Sequence, residues 1–307
     1  MILSIGNANL DYFFVVDRMP KGDEEVEALD FYVEPGGSAS NFAVAVAKLG
    51  EKAGILCCVG DDNAGEFLIR SFERENVDTS LIRVLEGVNT GRVFVILAKG
   101  EKYMIAFRGA NRYLSADIIT EEKLSSVTHV HVSGGRIEVA EKAFRVAKEA
   151  VNAATSYDPG SVNAKKGLSY LERVISLTDI LFLNTHELKY LLKGNDLGKL
   201  FSINPEIIIV IKKGSKGSEV MTSTGSESAA AFKVQVVDVT GAGDAFDAGF
   251  LVGYRRNLRL KECLIFANAV AGIKVTRRGA RSSPTLSEVV EFLREKGLSH
   301  LAEKVRT

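Results

Sequence analysis

Residues 238–250 read DVTGAGDAFDAGF, which sets two acids, Asp238 and Asp244, on either side of the small residues Gly241, Ala242 and Gly243. Glycine allows a backbone to take dihedrals closed to other residues and to approach a ligand, and the first N–H groups of a helix have no partner of their own. A Gly-Ala-Gly turn that opens a helix is therefore an anion cradle, strengthened by the helix dipole. Asp244, in the first helical turn, would stand inside this positive site with a carboxylate able to take a proton from a hydroxyl. The chemistry suggested is phosphoryl transfer to an alcohol. The same letters also suit a helix cap after a tight turn, and the motif by itself divides evenly between cap and phosphate site.

The flanking segments say what positions the turn. Residues 229–237 are β-branched and strand-like, whereas 245–254 have helical spacing with Phe246 and Phe250 four apart, so the turn joins strand to helix. About 200 residues earlier, PGGSASNFAVAVAKLG (35–50) places Gly36 and Gly37 ahead of a helix whose Phe42, Val46 and Leu49 share one face, and Gly50 closes it. Asn41 is polar in its first turn, where it would face a cleft and hydrogen-bond a polyol.

The glycine pair, the cleft asparagine and the distant G-A-G-D turn are the two signatures of the ribokinase (PfkB) carbohydrate-kinase family, which the chain resembles almost end to end. The resemblance implies roles elsewhere. Asp11, in GNANLD, matches the aspartate that grips sugar hydroxyls; Gly36, Gly37 and Asn41 would lie beside it, with Arg108 and Asn111 of RGANRYL near the sugar. VGDDNAG (59–65) matches the loop after the second strand. LNTHE matches an Asn-x-x-Glu pattern, with Asn184 on the nucleotide side and Glu187 ordering water around Mg²⁺, an ion that keeps several waters. The same tetrapeptide is an ordinary capping box. In IIIVIKKGSKGSEV, Lys212, Gly214, Ser215 and Gly217 would touch the ATP phosphates or ribose, although a plain hairpin turn reads alike. Asn268, on an apolar helix, would lie near adenine. Asp238 and Thr240, with Gly279 and Ser283 of the closing loop TRRGARSSP, would bind a monovalent cation such as K⁺ through backbone oxygens. One position departs: Asp158-Pro159-Gly160 stands where many relatives carry Asp-Pro-Asn, which removes an amide that Asn163 would partly replace.

A chain of 307 residues, 46% hydrophobic, can bury a large core as a single kinase domain spanning 1–307. With 39 basic and 39 acidic residues the net charge is zero, so neither a nucleic-acid partner nor a charged tail is expected. The apolar runs are strand-length, short of the ~20 residues of a membrane span. The first residues enter a strand at once, with no charged leader, so a cytoplasmic protein is expected. Three cysteines without CxxC spacing and four histidines without His-x-x-x-His spacing read as core or surface residues, not as zinc ligands.

Strands at 2–5, 53–59, 129–132, 155–157, 180–183 and 207–211 alternate with helices at 37–49, 64–75, 137–152, 168–177 and 185–193. This pattern predicts an α/β fold, a ribokinase-like doubly wound parallel sheet. Strand-rich stretches at 12–16 with 26–33, and at 81–84 with 92–98 and 103–107, predict a small β-sheet lid within about 12–34 and 81–107. Tyr12, Phe13, Phe14, Phe31 and Tyr32 exceed what one thin sheet can hide, so a homodimer through the lid is expected. The function expected is an ATP-dependent kinase that phosphorylates the primary hydroxyl of a ribose- or fructose-like sugar. A nucleoside kinase is the alternative, with Tyr12, Phe14 and Phe107 as faces for a base. A sugar-binding protein without catalysis is the third reading.

Overall fold

Alternation along the strands decides the layering. The computed structural model describes residues 1–194 and 196–306. Ile2, Ile55, Ile180, Phe182 and Val210 go to one core, with the helices Ser38–Lys48, Ala242–Arg255 and Leu260–Lys274. Leu3, Ile5, Leu181, Leu183, Ile209 and Ile211 go to a second core, with Ile137–Glu149, Leu168–Ile175 and Thr185–Leu192. A strand buried on both faces must be apolar at every position, which explains runs such as Ile208–Lys212.

Among the described residues nine strands make the large sheet. From Val77–Asp78 through Ala53–Leu56, Ile2–Gly6, His129–Ser133, Ala154–Asp158 and Ile180–Asn184 to Ile208–Lys212, all neighbours are parallel. Ser218–Thr222 and Gly225–Ala229 extend one edge antiparallel. Ile2–Gly6 lies between Ala53–Leu56 and His129–Ser133, so the strand order reverses there, and a crevice opens at the carboxyl ends of the strands. Asp158, Asn184 and Lys212 are the last residues of their strands and lie on that side.

A second sheet, in the order Asp30–Gly36, Asn9–Val16, Arg92–Ala98, Glu101–Phe107, forms the expected lid. Phe31, Met104, Ile105 and Phe107 are exposed on it. Three boundaries differ from the sequence reading. The expected strand 53–59 divides at Cys57, and its second part, Cys58–Gly60, pairs with Arg83–Leu85; residues 81–84 therefore do not join the lid. Asp62 fixes this detour, since it caps the helix Asn63–Arg74 and also accepts from Thr90 N at 3.1 Å and Arg92 at 2.6 Å. The expected lid strand 26–33 begins only at Asp30. The expected strand 229–237 ends at Ala229, because the valines that follow line a cavity instead of pairing in the sheet. Cys57, Cys58 and Cys263 are buried and unpaired, and His129 and His131 are buried around Ser156. Among the described residues no helix is long and apolar enough to cross a membrane.

Candidate active site

The glycine turn is a wall between two cavities. Gly241 caps the helix Ala242–Arg255 at φ 76°, a left-handed conformation, and a Cβ there would lie 2.3 Å from Ala280 O. No other residue type fits this position. Gly241 and Asp244 line a cavity of about 820 Å³ beneath the lid, whereas Ala242 and Gly243 line one of about 520 Å³ on the far side. The Ala242 N–H donates to Val239 O at 3.1 Å, so of the three amides expected to form the cradle this one is already engaged. Among the described residues the N–H groups of Gly241, Gly243 and Asp244 have no acceptor.

In the larger cavity Asn41 donates to Asp244 Oδ2 at 2.8 Å, joining two motifs that lie 203 residues apart. Burial raises Asp244 to about 6; the Asn41 hydrogen bond opposes the shift and the charge of Asp158 adds to it. Asp11 reaches the same cavity from the lid strand Asn9–Val16 and packs directly on Gly36, where a Cβ would come within 2.1 Å of Asp11 Oδ2. Burial lifts Asp11 to about 6 as well, against Lys102 and Arg281. Asp11 Oδ1 and Asn41 Oδ1 are buried without a hydrogen-bond partner. A buried acceptor left unpaired costs about 1–3 kcal/mol, so both atoms call for a donor from a ligand.

Asn111 lines the cavity, yet its amide clamps the backbone of Ala8 in both directions, at 3.1 Å each, and donates to Asn9 Oδ1 at 2.8 Å. Arg108 is exposed at the rim, where the structure adds Lys102, Arg112 and Arg136. Sequence reasoning missed these three: Arg112 lies within RGANRYL but has no distinguishing spacing there, and no motif carries Lys102 or Arg136, which converge on it only once the lid folds over the sheet. Gly160 leaves the wall open, and Asn163 does not restore the amide, since its nitrogen donates to Gly135 O at 3.0 Å and Tyr157 Oη at 3.2 Å. Tyr12, Phe14 and Phe107, expected as faces for a base, do not line this cavity. Tyr12 stacks on Phe94 at 5.4 Å and Phe14 packs on Phe31 at 5.0 Å, on the sheet face opposite Asp11.

The smaller cavity gathers Lys212, Gly214, Ser215, Gly217 and Asn268 as the sequence suggested. Asn268 accepts from Ser218 Oγ and donates to Ala229 O and Ala230 O, each at 3.2 Å, which fixes the bend where the chain leaves the sheet. Lys212 differs from expectation: its ammonium lies between Asp158 Oδ2 and Asp247 Oδ2 at 2.8 Å each, engaged by carboxylates instead of standing free for phosphates. Burial would lower its pKa, but the two carboxylates outweigh burial and hold it above the usual lysine value. Burial drives Asp247 upward, and Asp158 is held down because Lys212 overcomes its own desolvation. Asp247 lies one turn beyond Asp244, so the cluster clamps the helix that carries the candidate base to two strand ends. Before folding, only the second acid of DAFDAGF hinted at this clamp.

Asn184 and Glu187 line neither cavity and form the capping box, with Asn184 Oδ1 accepting from Glu187 N at 2.9 Å and Glu187 Oε2 from Asn184 N at 2.9 Å. Glu187 is buried, and its pKa is raised by burial and by the nearby Asp158.

The loop assigned to a monovalent cation does not fit one. Thr240 N donates to Asp238 Oδ1 and Gly279 N to Asp238 Oδ2, each at 2.9 Å, and the Lys274 ammonium donates to Asp238 O at 2.8 Å. Each oxygen of Asp238 thus already accepts a hydrogen bond, and a second positive charge there would meet Lys274. Ser283 is buried nearby.

The pfkB family carbohydrate kinase model matches residues 1–286, and the chain belongs to that family of carbohydrate kinases. An ATP-dependent ribose-1-phosphate kinase of Halopiger xanaduensis is 34% identical over 296 residues, covering 96% of this chain and 98% of the relative. A nucleoside kinase from Methanocaldococcus jannaschii, described as an archaeal member of the ribokinase family, superposes with a TM-score of 0.84 at 28% identity over 96% of this chain and 98% of that one. Arabidopsis thaliana ribokinase, in a complex with ribose and ATP, gives 0.86 at 25% identity over 95% and 98%.

Proposed function

We propose that this chain, as a single catalytic unit with its lid, transfers the γ-phosphoryl group of ATP to the primary hydroxyl of a furanose sugar. The observation that carries this is the position of Asp244, half-buried at the wall between two cavities with a pKa of about 6 and one oxygen held by Asn41. The unpaired acceptors on Asp11 and Asn41 take hydrogen bonds from sugar hydroxyls. The lid excludes water, and the primary hydroxyl lies against Asp244. As that oxygen attacks the γ-phosphorus, Asp244 accepts its proton, the bond to the β-phosphate oxygen breaks, and ADP leaves. The free N–H groups of Gly241, Gly243 and Asp244, at the positive end of a helix, face the charge that develops on the phosphoryl oxygens. Adenine and ribose occupy the smaller cavity beside Asn268 and Gly214–Lys216. Mg²⁺ would neutralise phosphate charge there, held by the phosphates and by water, because it keeps several waters and Glu187, expected to order them, lines neither cavity.

A second reading is favoured by the rim. Lys102, Arg108, Arg112 and Arg136 surround a floor of carboxylates, an arrangement suited to a sugar that carries hydroxyls at one end and an anion at the other. The substrate named for the Halopiger xanaduensis relative, ribose 1-phosphate, has that form. A nucleoside fits less well, since Tyr12 and Phe14 lie on the lid face opposite Asp11 and Phe107 does not line the cavity. The exposed Phe31, Ile105 and Phe107 support a homodimer in which a second lid covers them. A coupled assay of ADP release, run across free pentoses and hexoses, pentose 1-phosphates and nucleosides, tests all of this. A furanose should give the highest kcat/KM. Absence of ADP release above the ATPase background with every acceptor would remove the kinase reading.

A further inference from the structure

Lys274 ends the helix Leu260–Lys274 and is 0% exposed. A buried ammonium is costly unless it is paired, yet its nearest carboxylate oxygen, Asp238 Oδ2, is 4.0 Å away. Its short bond is to a backbone carbonyl, Asp238 O, at 2.8 Å. That residue begins the loop that runs to Asp244. The loop is fastened to the same helix end a second time, since Val237 N and Asp238 N both donate to Val275 O, at 2.7 and 3.1 Å. Glu34 comes in from the lid, where a Cβ on Gly279 would lie 3.0 Å from its Oε2. Burial draws the Lys274 pKa down, while Asp238, Glu34 and Asp244 act to keep its charge. A carbonyl and several acids around one buried positive charge are the surroundings of a bound monovalent cation, and here the charge is attached to the chain.

We infer that the Lys274 ammonium is a tethered monovalent cation that positions the loop 238–244, so that this kinase works without dissolved K⁺. Lys274 lines neither cavity and acts as a positioning residue. It spans the places where the resemblance would have put an exchangeable ion. The inference rests on the kinase reading only where a rate is measured.

The test compares choline, Na⁺, K⁺ and NH₄⁺ chlorides at equal ionic strength. Wild-type kcat should agree within about twofold in all four, because the site already holds its charge. Lys274→Met keeps the stem and removes only the ammonium; in choline its kcat should fall by about 10²-fold, the scale of losing one preorganised electrostatic group. K⁺ or NH₄⁺ should then restore activity saturably, and in Lys274→Ala, methylammonium should do the same. Independently of turnover, K⁺ should leave the wild-type Tm unchanged and raise that of Lys274→Met by roughly 2–4 °C near saturation. Activation of the wild type more than about tenfold by K⁺, or full activity of Lys274→Met in choline, would overturn the inference. If the variants do not fold, the wild-type salt series decides alone. If the wild type phosphorylates nothing, the kinase reading fails and the Tm series still judges the cation.

Discussion

The two cavities that share the wall 241–244 are built from opposite materials. The larger one has Asp11, Asp158 and Asp244 in its lining, two buried acceptors without partners, and a basic rim. The smaller one is lined mainly by Val234, Val236, Val239, Phe246 and Ala271, and its one deep cation, Lys212, is paired with Asp158 and Asp247. Directional, charge-assisted hydrogen bonds can therefore select an acceptor on one side, while on the other a nucleotide is held by packing and by free backbone N–H groups. Single side chains on the acceptor side should accordingly control chemistry and acceptor affinity and leave ATP affinity almost untouched.

The strongest way to break this comparison is Asp244→Asn. The amide keeps the Asn41 contact in outline but cannot take a proton, so kcat should fall by about 10²–10⁴, with both KM values near wild type. Near-full kcat in a steady-state assay would make Asp244 a helix cap. The pH profile sharpens the point. Below about 6 the raised carboxyl of Asp244 is protonated and cannot act as base, so activity should be lost as pH falls through that value. Asp11 also titrates near 6 in the free enzyme. log kcat/KM should then fall with a slope approaching two on the acid side and log kcat with a slope of one, because bound hydroxyls hold Asp11 ionised. Asp244→Asn should remove the kcat limb.

Next in size is Asp11→Ala. An ionised acceptor that meets substrate hydroxyls contributes about 1.5–3 kcal/mol per hydrogen bond, so the acceptor KM should rise by on the order of 10² or more, with the ATP KM steady. Equal weakening of both substrates would mean that Asp11 shapes the junction with Gly36 and not the acceptor site.

What could be read before folding follows from where each signal lives. The turn at Gly241, the helix after Gly37 and the alternating strands were legible because glycine placement and apolar period are local. Asp244 and Asn41 stood out by their place in a first helical turn, whereas Asp11 was legible only through the family resemblance. The Asp158–Lys212–Asp247 clamp was not, since its partners come from two strand ends and a helix and no spacing joins them. Residues 229–237 misled for the opposite reason: period-two valines look like a strand whether they meet a sheet or line a cavity. The lid aromatics misled too, because a strand's period says which residues share a face and not which face meets the cleft.

The smallest expected effect concerns the rim, and it separates the two readings of the acceptor. Arg112 is exposed and has no carboxylate within ion-pair distance among the described residues, so its charge is available to a ligand. An exposed pair with a sugar phosphate gains only about 0.2–1 kcal/mol, because water and salt screen it. Arg112→Ala should therefore raise the KM for a pentose 1-phosphate about two- to fivefold and leave that for free ribose unchanged. The increase should shrink as ionic strength rises, as expected of a screened rim charge and not of the buried floor. An equal change for both acceptors would place Arg112 in the support of the lid. No change for either would leave the free sugar as the acceptor, recognised by the carboxylate floor alone.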